Sequence, residues 1–470
     1  MIKTLLELLE LIYEKNKNKP EGFTMRETRI AQRSLFETYS EHDIGVQLKN
    51  QGDLLDRHPD ILLLIKNDLV NTPLKPVGRS GLTVESVFRC LLLKQRFKLT
   101  YQQLAFHLSD SMSYRSFARL SPELMPKKSC LQSTIRSIKP DTLEAVFNML
   151  SLDWLEVGNL SLEKIRIDST VVASNIAPPS DSQMLNDGVR VLSRYLAKSS
   201  DMTGKKIRFT DQRKASKSMA FRIFNAKEAE KIDLYPQLLG LVSIVLKQVD
   251  RALLPIKSDC AVSPNTQRWI KDVEHYRALT LKVVDQTVRR VVNQEKVPSS
   301  EKIVSLFEEH SDIIVKGFRD VQYGHKINLS TEKHGLITSL SIEKGNPADS
   351  DLFLPALDDH QKNLKKLPHS VASDGGYASK ANVVAGRAMG LQHVVFHKRV
   401  GISYLAMGVK RKTFKLLRNF RAGVEGNISQ LKRTFGAGKA TWKGHDGFKA
   451  YVWSSVISYN LTRMARMQSG

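Results

Sequence analysis

Hydrophobic and polar positions change period several times along the chain, and the changes mark its elements. In "KIRIDSTVVASN", residues 164–175, Ile165, Ile167 and Val171 are β-branched with polar residues between them, the period-two pattern of a strand with one covered face. Asp168 interrupts that pattern. A carboxylate beside a sheet core is costly unless a cation or hydrogen-bond donors meet it. It therefore reads either as a turn residue at the strand end or as a metal or catalytic ligand. The stretch 177–315 that follows is helical in character, with "MLNDGVRVLSRYL" and "LYPQLLGLVSIVLKQVDRALL". Period two returns at 321–343, where "VQYGHKINLS", the turn "TEKHG" and "LITSLSIE" predict a hairpin. After it come a helix entered through Asn-Pro in "GNPADSDLFLPALDDHQKN", a strand in "HSVASDGGY", a helix in "SKANVVAGRAMG" and a strand in "QHVVFHK". The remainder is helical.

Before residue 164 the chain reads as helices separated by a polar stretch and a loop. Leu5, Leu6, Leu9 and Ile12 share one face of an amphipathic helix, and Pro73, Pro76 and Gly78 mark a loop, so residues 1–80 predict an N-terminal helical arm, mobile or oligomerising. Residues 81–150 predict a group of short helices, with Thr100 as an N-cap and "SCLQ" at 129–132 as a capping box. Short helices between tight breaks suit a helix-turn-helix, in which Arg115, Arg119, Lys127, Lys128, Arg136 and Lys139 would contact phosphates. A helical subdomain with a solvated basic face is the other reading.

With the helical stretch 177–315 set aside, the order from 164 onward is strand, two hairpin strands, helix, strand, helix, strand, helix. That is the RNase H-like order, a mixed sheet flanked by helices. The predicted fold is thus α/β: a catalytic domain formed by residues 160–176 and 316–470, interrupted after its first strand by a helical basic insertion (177–315) and preceded by the helical DNA-binding domain (81–150).

Charge narrows the partner. Lys+Arg 72 against Asp+Glu 48 leaves a net charge of +24 over 470 residues, which points to a polyanion such as nucleic acid. No apolar run is long enough to span a bilayer, and glutamates interrupt the segment where a signal peptide would be apolar, so a cytoplasmic protein with no membrane partner is expected. Within the insertion, "TGKKIRFTDQRKASKSMAFR" carries seven Lys/Arg against one Asp; Lys205, Lys206, Arg208, Arg213 and Lys214 are candidate DNA contacts or a solvated face. Cys90, Cys130 and Cys260 form no CxxC pair, so neither a disulfide framework nor a zinc site is predicted. His393 and His397 have the helical spacing of a zinc pair, but they fall in a predicted strand. The absence of GxxxxGK[ST] leaves ATP-driven chemistry unsupported.

Two more acids join Asp168. Asp374 ends a strand and is followed by Gly375 and Gly376, which leave the backbone unobstructed. In an RNase H-like sheet the first and fourth strands are neighbours, which would let Asp168 and Asp374 face each other. Leu417, Phe420, Val424, Ile428, Leu431 and Phe435 form a helical stripe, and Glu425 lies beside it with Arg421 one turn before and Lys432 two turns after. An ordinary Arg–Glu pair at the rim of a core helix is the competing reading. Gly423 and Gly426 each cost about 1 kcal/mol in a helix interior, which implies either a close approach or a helix that starts near 423. Three carboxylates suit Mg²⁺, a hard cation, and two such ions about 4 Å apart can serve both the attacking and leaving oxygens of a phosphodiester.

Several long motifs in order, "RIDSTVVASNI", "YGHKINLS", "GLITSLSIEKGNPADS", "VASDGGYAS" and "AGVEGNISQLKRTFGAGKATWKGHDGF", make the chain resemble the DDE transposases of bacterial insertion sequences, in the group related to ISNCY, over roughly residues 80–465. The resemblance implies that Asp168, Asp374 and Glu425 are the metal-binding triad, with two Mg²⁺ per site and Mn²⁺ as a substitute. It implies that Arg421 and Lys432 match the Arg and Lys of a Tyr-Arg-Glu-Lys signature contacting the transposon end, with Arg418 in place of the Tyr as a further phosphate contact. Trp442 would either stack on an unpaired base at the cut end or belong to the core. The implied partners are double-stranded DNA, both terminal inverted repeats and target, and further copies of the chain in a homodimer or higher homo-oligomer; bound to DNA, the protein would sit on the nucleoid. The implied reaction is attack of water on the phosphodiester at the element's end, then attack of the freed 3′-hydroxyl on target DNA. An RNase H-like nuclease that joins nothing, and a non-catalytic repressor derived from a transposase, share these motifs.

Overall fold

The computed structural model describes residues 26–29, 38–70, 81–121, 123–258, 263–316, 320–397 and 402–468. The helix expected around Leu5 to Ile12 and the Pro73 to Gly78 loop lie outside them, as does Cys260. The chain divides into two compact units, one of residues 1–159 with 453–470 and one of residues 160–452. The final helix, His445–Met467, begins in the second unit and ends in the first, whereas the sequence reading assigned it wholly to the catalytic part.

The first unit is all helix among its described residues. Val84–Arg96 is buried along its whole length, down to its charged residues. Its amides and guanidinium bond within the unit: Gln95 donates to Ser455 at 2.6 Å and Arg96 to Thr462 at 2.5 Å. Thr100 caps Tyr101–Asp110 through a full capping box with Gln103. The box expected at 129–132 does not form; the helix there starts at Lys128 behind Lys127, whose side chain caps nothing, so Ser129 falls inside the first turn.

The second unit is built on a mixed six-stranded sheet. Strands β1 (Lys164–Ala173), β2 (Asp312–Lys316), β3 (Asp320–Thr331), β4 (Ile337–Ile342), β5 (Ser370–Asp374) and β6 (His393–His397) run in the order β2-β3-β1-β5-β6, with β4 also pairing with β3. The predicted hairpin is β3 and β4. His393 and His397 indeed lie on a strand. Strand β2 was not anticipated. Between β1 and β2 come the helices Asp181–Ala197, Ser199–Thr203, Arg213–Asn225, Glu228–Lys257 and Pro264–Thr287, which bury their own core of Leu185, Leu192, Leu238, Val245, Trp269 and Val283.

β1 departs from a half-covered strand. Only Lys164, Asp168 and Ala173 escape burial, so residues of both faces are covered. Arg166 is 7 % exposed and points at the helix Arg411–Thr434, where its guanidinium donates to the Phe420 carbonyl at 2.8 Å and to Asn427 at 2.5 Å. Asp168, two residues further, shares that face.

Candidate active site

The site begins with register. β1 and β5 are parallel, with Ile167 opposite Ser373, so Asp168 and Asp374 are the next positions along two adjacent strands, at the carboxyl end of β5. Such strand ends in open α/β sheets are where ligands settle. Asp168 accepts from the Ser169 amide at 2.8 Å, and Asp374 caps the short turn after β5 by accepting from the Gly376 amide at 2.9 Å. Each carboxylate is thereby aimed by its own backbone.

The third acid arrives on the helix Arg411–Thr434, which packs on β1, β5 and β6. Leu417, Val424, Leu431 and Phe435 of the predicted stripe are buried. The helix runs unbroken through Gly423, which removes the helix-start explanation for that glycine. A Cβ on Gly423 would stand 2.2 Å from the Arg166 guanidinium, so the close approach is made by a residue of the sheet. Around Gly426 there is open space, and nothing in the structure explains that glycine.

The helix brings Arg421 and Glu425 to the two aspartates. The Arg421 guanidinium lies 3.3 Å from Asp168, 3.9 Å from Asp374 and 3.0 Å from Glu425. Exposure rises from 13 % for the Asp168 side chain to 34 % for Asp374 and 69 % for Glu425, so the cluster opens toward solvent on the helix side. Three carboxylates thus share one cation. Among the described residues no three His, Cys, Asp or Glu side chains stand close enough together to hold a metal ion as they are placed. The donor set itself, hard oxygens in excess of positive charge, is what a divalent cation requires.

A fourth carboxylate, missed in the sequence, borders the cluster. Asp349 accepts from the Ser169 hydroxyl at 2.8 Å and from the Lys326 ammonium at 3.1 Å. A Cβ on Gly376 would come within 3.0 Å of Asp349 and 3.2 Å of Asp374, so a side chain there would crowd both. Beneath lies Tyr377, fully buried and donating to Asn328 at 2.7 Å. Burial first, then the negative charges of Asp349 and Asp168, holds its phenol far above the ordinary tyrosine range and therefore protonated. Only the "GNPADSD" acid run hinted at Asp349, and a run gives no partner.

The other predicted contacts are scattered. Arg418 is exposed, and Lys432 lies half-buried further along the same helix. Arg115 donates to the Leu108 carbonyl, and Lys127, Lys128 and Arg136 are exposed. Arg119 is instead buried against Asp56 at 2.8 Å, so its charge is already answered inside the first unit. Lys205, Lys206 and Arg208 line a shallow groove with Arg251; Arg213 pairs with Asp211, and Lys214 is exposed. Trp442 takes the core placement of its two readings: it is 4 % exposed and meets Tyr451 edge to face.

Residues 316–461 match the transposase DDE domain family, a stretch that contains Asp374 and Glu425 and begins after Asp168. No curated protein and no solved structure matches the chain. Among the described residues no helix is long and apolar enough to cross a membrane.

Proposed function

We propose that this chain, which carries a transposase DDE domain, is a DNA transposase that cleaves the ends of an insertion sequence and joins the freed 3′-hydroxyl to target DNA. The observation that carries the reading is the convergence of Asp168, Asp374 and Glu425 on one guanidinium at the end of β5. In this reading the sheet is an RNase H-like core, the helices between β1 and β2 are an insertion into it, and residues 81–150 bind the terminal inverted repeats as a helix-turn-helix. The chain acts as a homodimer or larger assembly in the cytoplasm.

Asp168, Asp374 and Glu425 would hold Mg²⁺, which when bound polarises a phosphate oxygen and makes water a usable nucleophile near neutral pH. The chain's own residues supply the rest. Ser169 and Lys326, bonded to Asp349, fix the point on β1 from which Asp168 projects. Arg421 compensates the acids in the free protein. A guanidinium presents five N–H donors in a fork that fits phosphate, so when its carboxylates share another cation it can donate to a phosphate oxygen of the DNA end.

The test is a plasmid carrying the element's ends, incubated with the full chain and Mg²⁺. End cleavage followed by joined products is expected. Cleavage without joining supports a nuclease instead, and binding without cleavage supports a repressor.

A further inference from the structure

Away from the acid cluster, the second unit holds a groove that the sequence did not announce. Arg190 and Arg194 on Asp181–Ala197, with Lys198 just beyond, recur every four residues and so share a face. Arg268, Asp272 and Tyr276 do the same on Pro264–Thr287. Between these two helices lies an open cavity of ≈ 570 Å³, lined also by Phe307 and Lys443.

Two properties set the groove apart from an ordinary basic surface. The first is uncompensated charge. Asp272 is the one acid in the lining, and it accepts from the Tyr195 hydroxyl at 3.0 Å. Arg190 pairs with Asp187, but Arg194, Lys198 and Arg268 are exposed and have no carboxylate within ion-pair distance among the described residues. The second is a row of rings. Tyr195 and Tyr276 have centroids 5.9 Å apart, Tyr276 and Phe307 6.3 Å, and Phe307 is 41 % exposed. The Arg190 guanidinium sits 5.4 Å from the Phe307 ring and helps hold it at the groove wall.

Cations that track a backbone, interleaved with aromatic faces, are what unpaired nucleic acid needs: phosphates take the charges and bases stack on the rings. In a duplex the bases already stack on one another, so Phe307 would gain nothing from it. We propose that this groove binds an unpaired DNA strand, with phosphates on Arg194, Lys198 and Arg268 and a base on Phe307. The inference rests on the transposase reading, in which cutting at an element's end frees unpaired strands.

Fluorescence anisotropy of the full chain with labelled oligo-dT, and with a blunt duplex of equal length, tests it. Phe307→Ala should weaken oligo-dT binding roughly tenfold and leave duplex binding unchanged, and Phe307→Tyr should restore it. Replacing Arg194, Lys198 and Arg268 together by Gln should reduce the slope of log affinity against log salt by roughly 2 for the single strand. All these side chains are at the surface, so melting curves should match the parent's. Oligo-dT binding that is indifferent to both changes overturns the proposal, as does an equal loss of duplex binding in Phe307→Ala. A chain that cleaves and joins ends yet shows that indifference refutes the groove alone. A chain that binds oligo-dT through these residues but never cleaves refutes the transposase reading and leaves the groove standing.

Discussion

Each unit has a charge cluster, and the two are opposites. In the first unit Arg89, 1 % exposed, meets Glu85 at 3.0 Å and Asp56 at 2.8 Å, and Arg29 and Arg119 complete the set. Three cations answer two carboxylates, and the Phe117 and Gly52 carbonyls take further Arg89 protons. Every carboxylate there is matched by at least one cation, and the central Arg89 is sealed from solvent. In the second unit three carboxylates share Arg421 and the cluster grades out to an exposed Glu425. A closed network holds a fold together; an open one with surplus charge of one sign invites ions. Buried ion pairs are therefore poor guides to function until their stoichiometry and exposure are counted.

The largest expected effect breaks the open cluster. Asp168→Asn, Asp374→Asn and Glu425→Gln should each lower end cleavage on the order of 10³-fold, the equivalent of several kcal/mol of lost transition-state stabilisation, while DNA binding and melting temperature stay near the parent's. Full cleavage by any one of them removes that residue from the site. Breaking the closed cluster should do the reverse. Asp56→Asn leaves Arg89 and Arg119 buried without their partner and should cost about 3 kcal/mol of stability, read as a drop in denaturation midpoint. An unchanged midpoint would mean the network is not structural.

How much of this contrast the sequence carried depends on range. Asp168 stood out because it broke a local alternation, and the stripe through Leu417 and Leu431 was visible because a helix repeats every few residues. Gly423 announced a close approach, yet its partner Arg166 lies 257 positions away in the chain and reads locally as a polar strand residue. The same limit hid Asp349, whose partners Ser169 and Lys326 come from the distant strands β1 and β3, and the groove, whose walls are two separate helices. It also made Arg119 and Trp442 look available, since burial by distant segments leaves no mark on a short motif.

A smaller effect sharpens the comparison on the acid side. His360 is fully buried beneath the sheet with Thr338 and the Ala356 carbonyl as partners, and burial pushes its pKa down to about 4. An unfolded histidine titrates near 6.5, so as pH falls the unfolded chain takes up the proton first. The stabilisation is complete above pH ~6.5 and is lost as pH drops toward about 4, by roughly 3 kcal/mol in all. Melting temperatures across that window should fall for the parent and run flatter for His360→Gln; parallel curves would assign the acid loss to carboxylates alone.

The smallest effect concerns Arg421. As a bridge in a solvent-facing cluster it should contribute about 1 kcal/mol or less, so Arg421→Ala should melt close to the parent while cleaving poorly. Its loss also leaves the acids to repel one another, so Mg²⁺ should raise the melting temperature more in Arg421→Ala than in the parent. A large destabilisation with normal cleavage in the folded fraction would make Arg421 a structural ion-pair residue like Arg89.

Divalent-ion binding tests the central claim most directly, because it separates the acid cluster from every later step. Calorimetric titration of the full chain with Mn²⁺ should show saturable binding that Asp168→Asn, Asp374→Asn and Glu425→Gln each weaken strongly and Asp56→Asn does not. Binding that is equal in the parent and in all three acid variants would contradict the account.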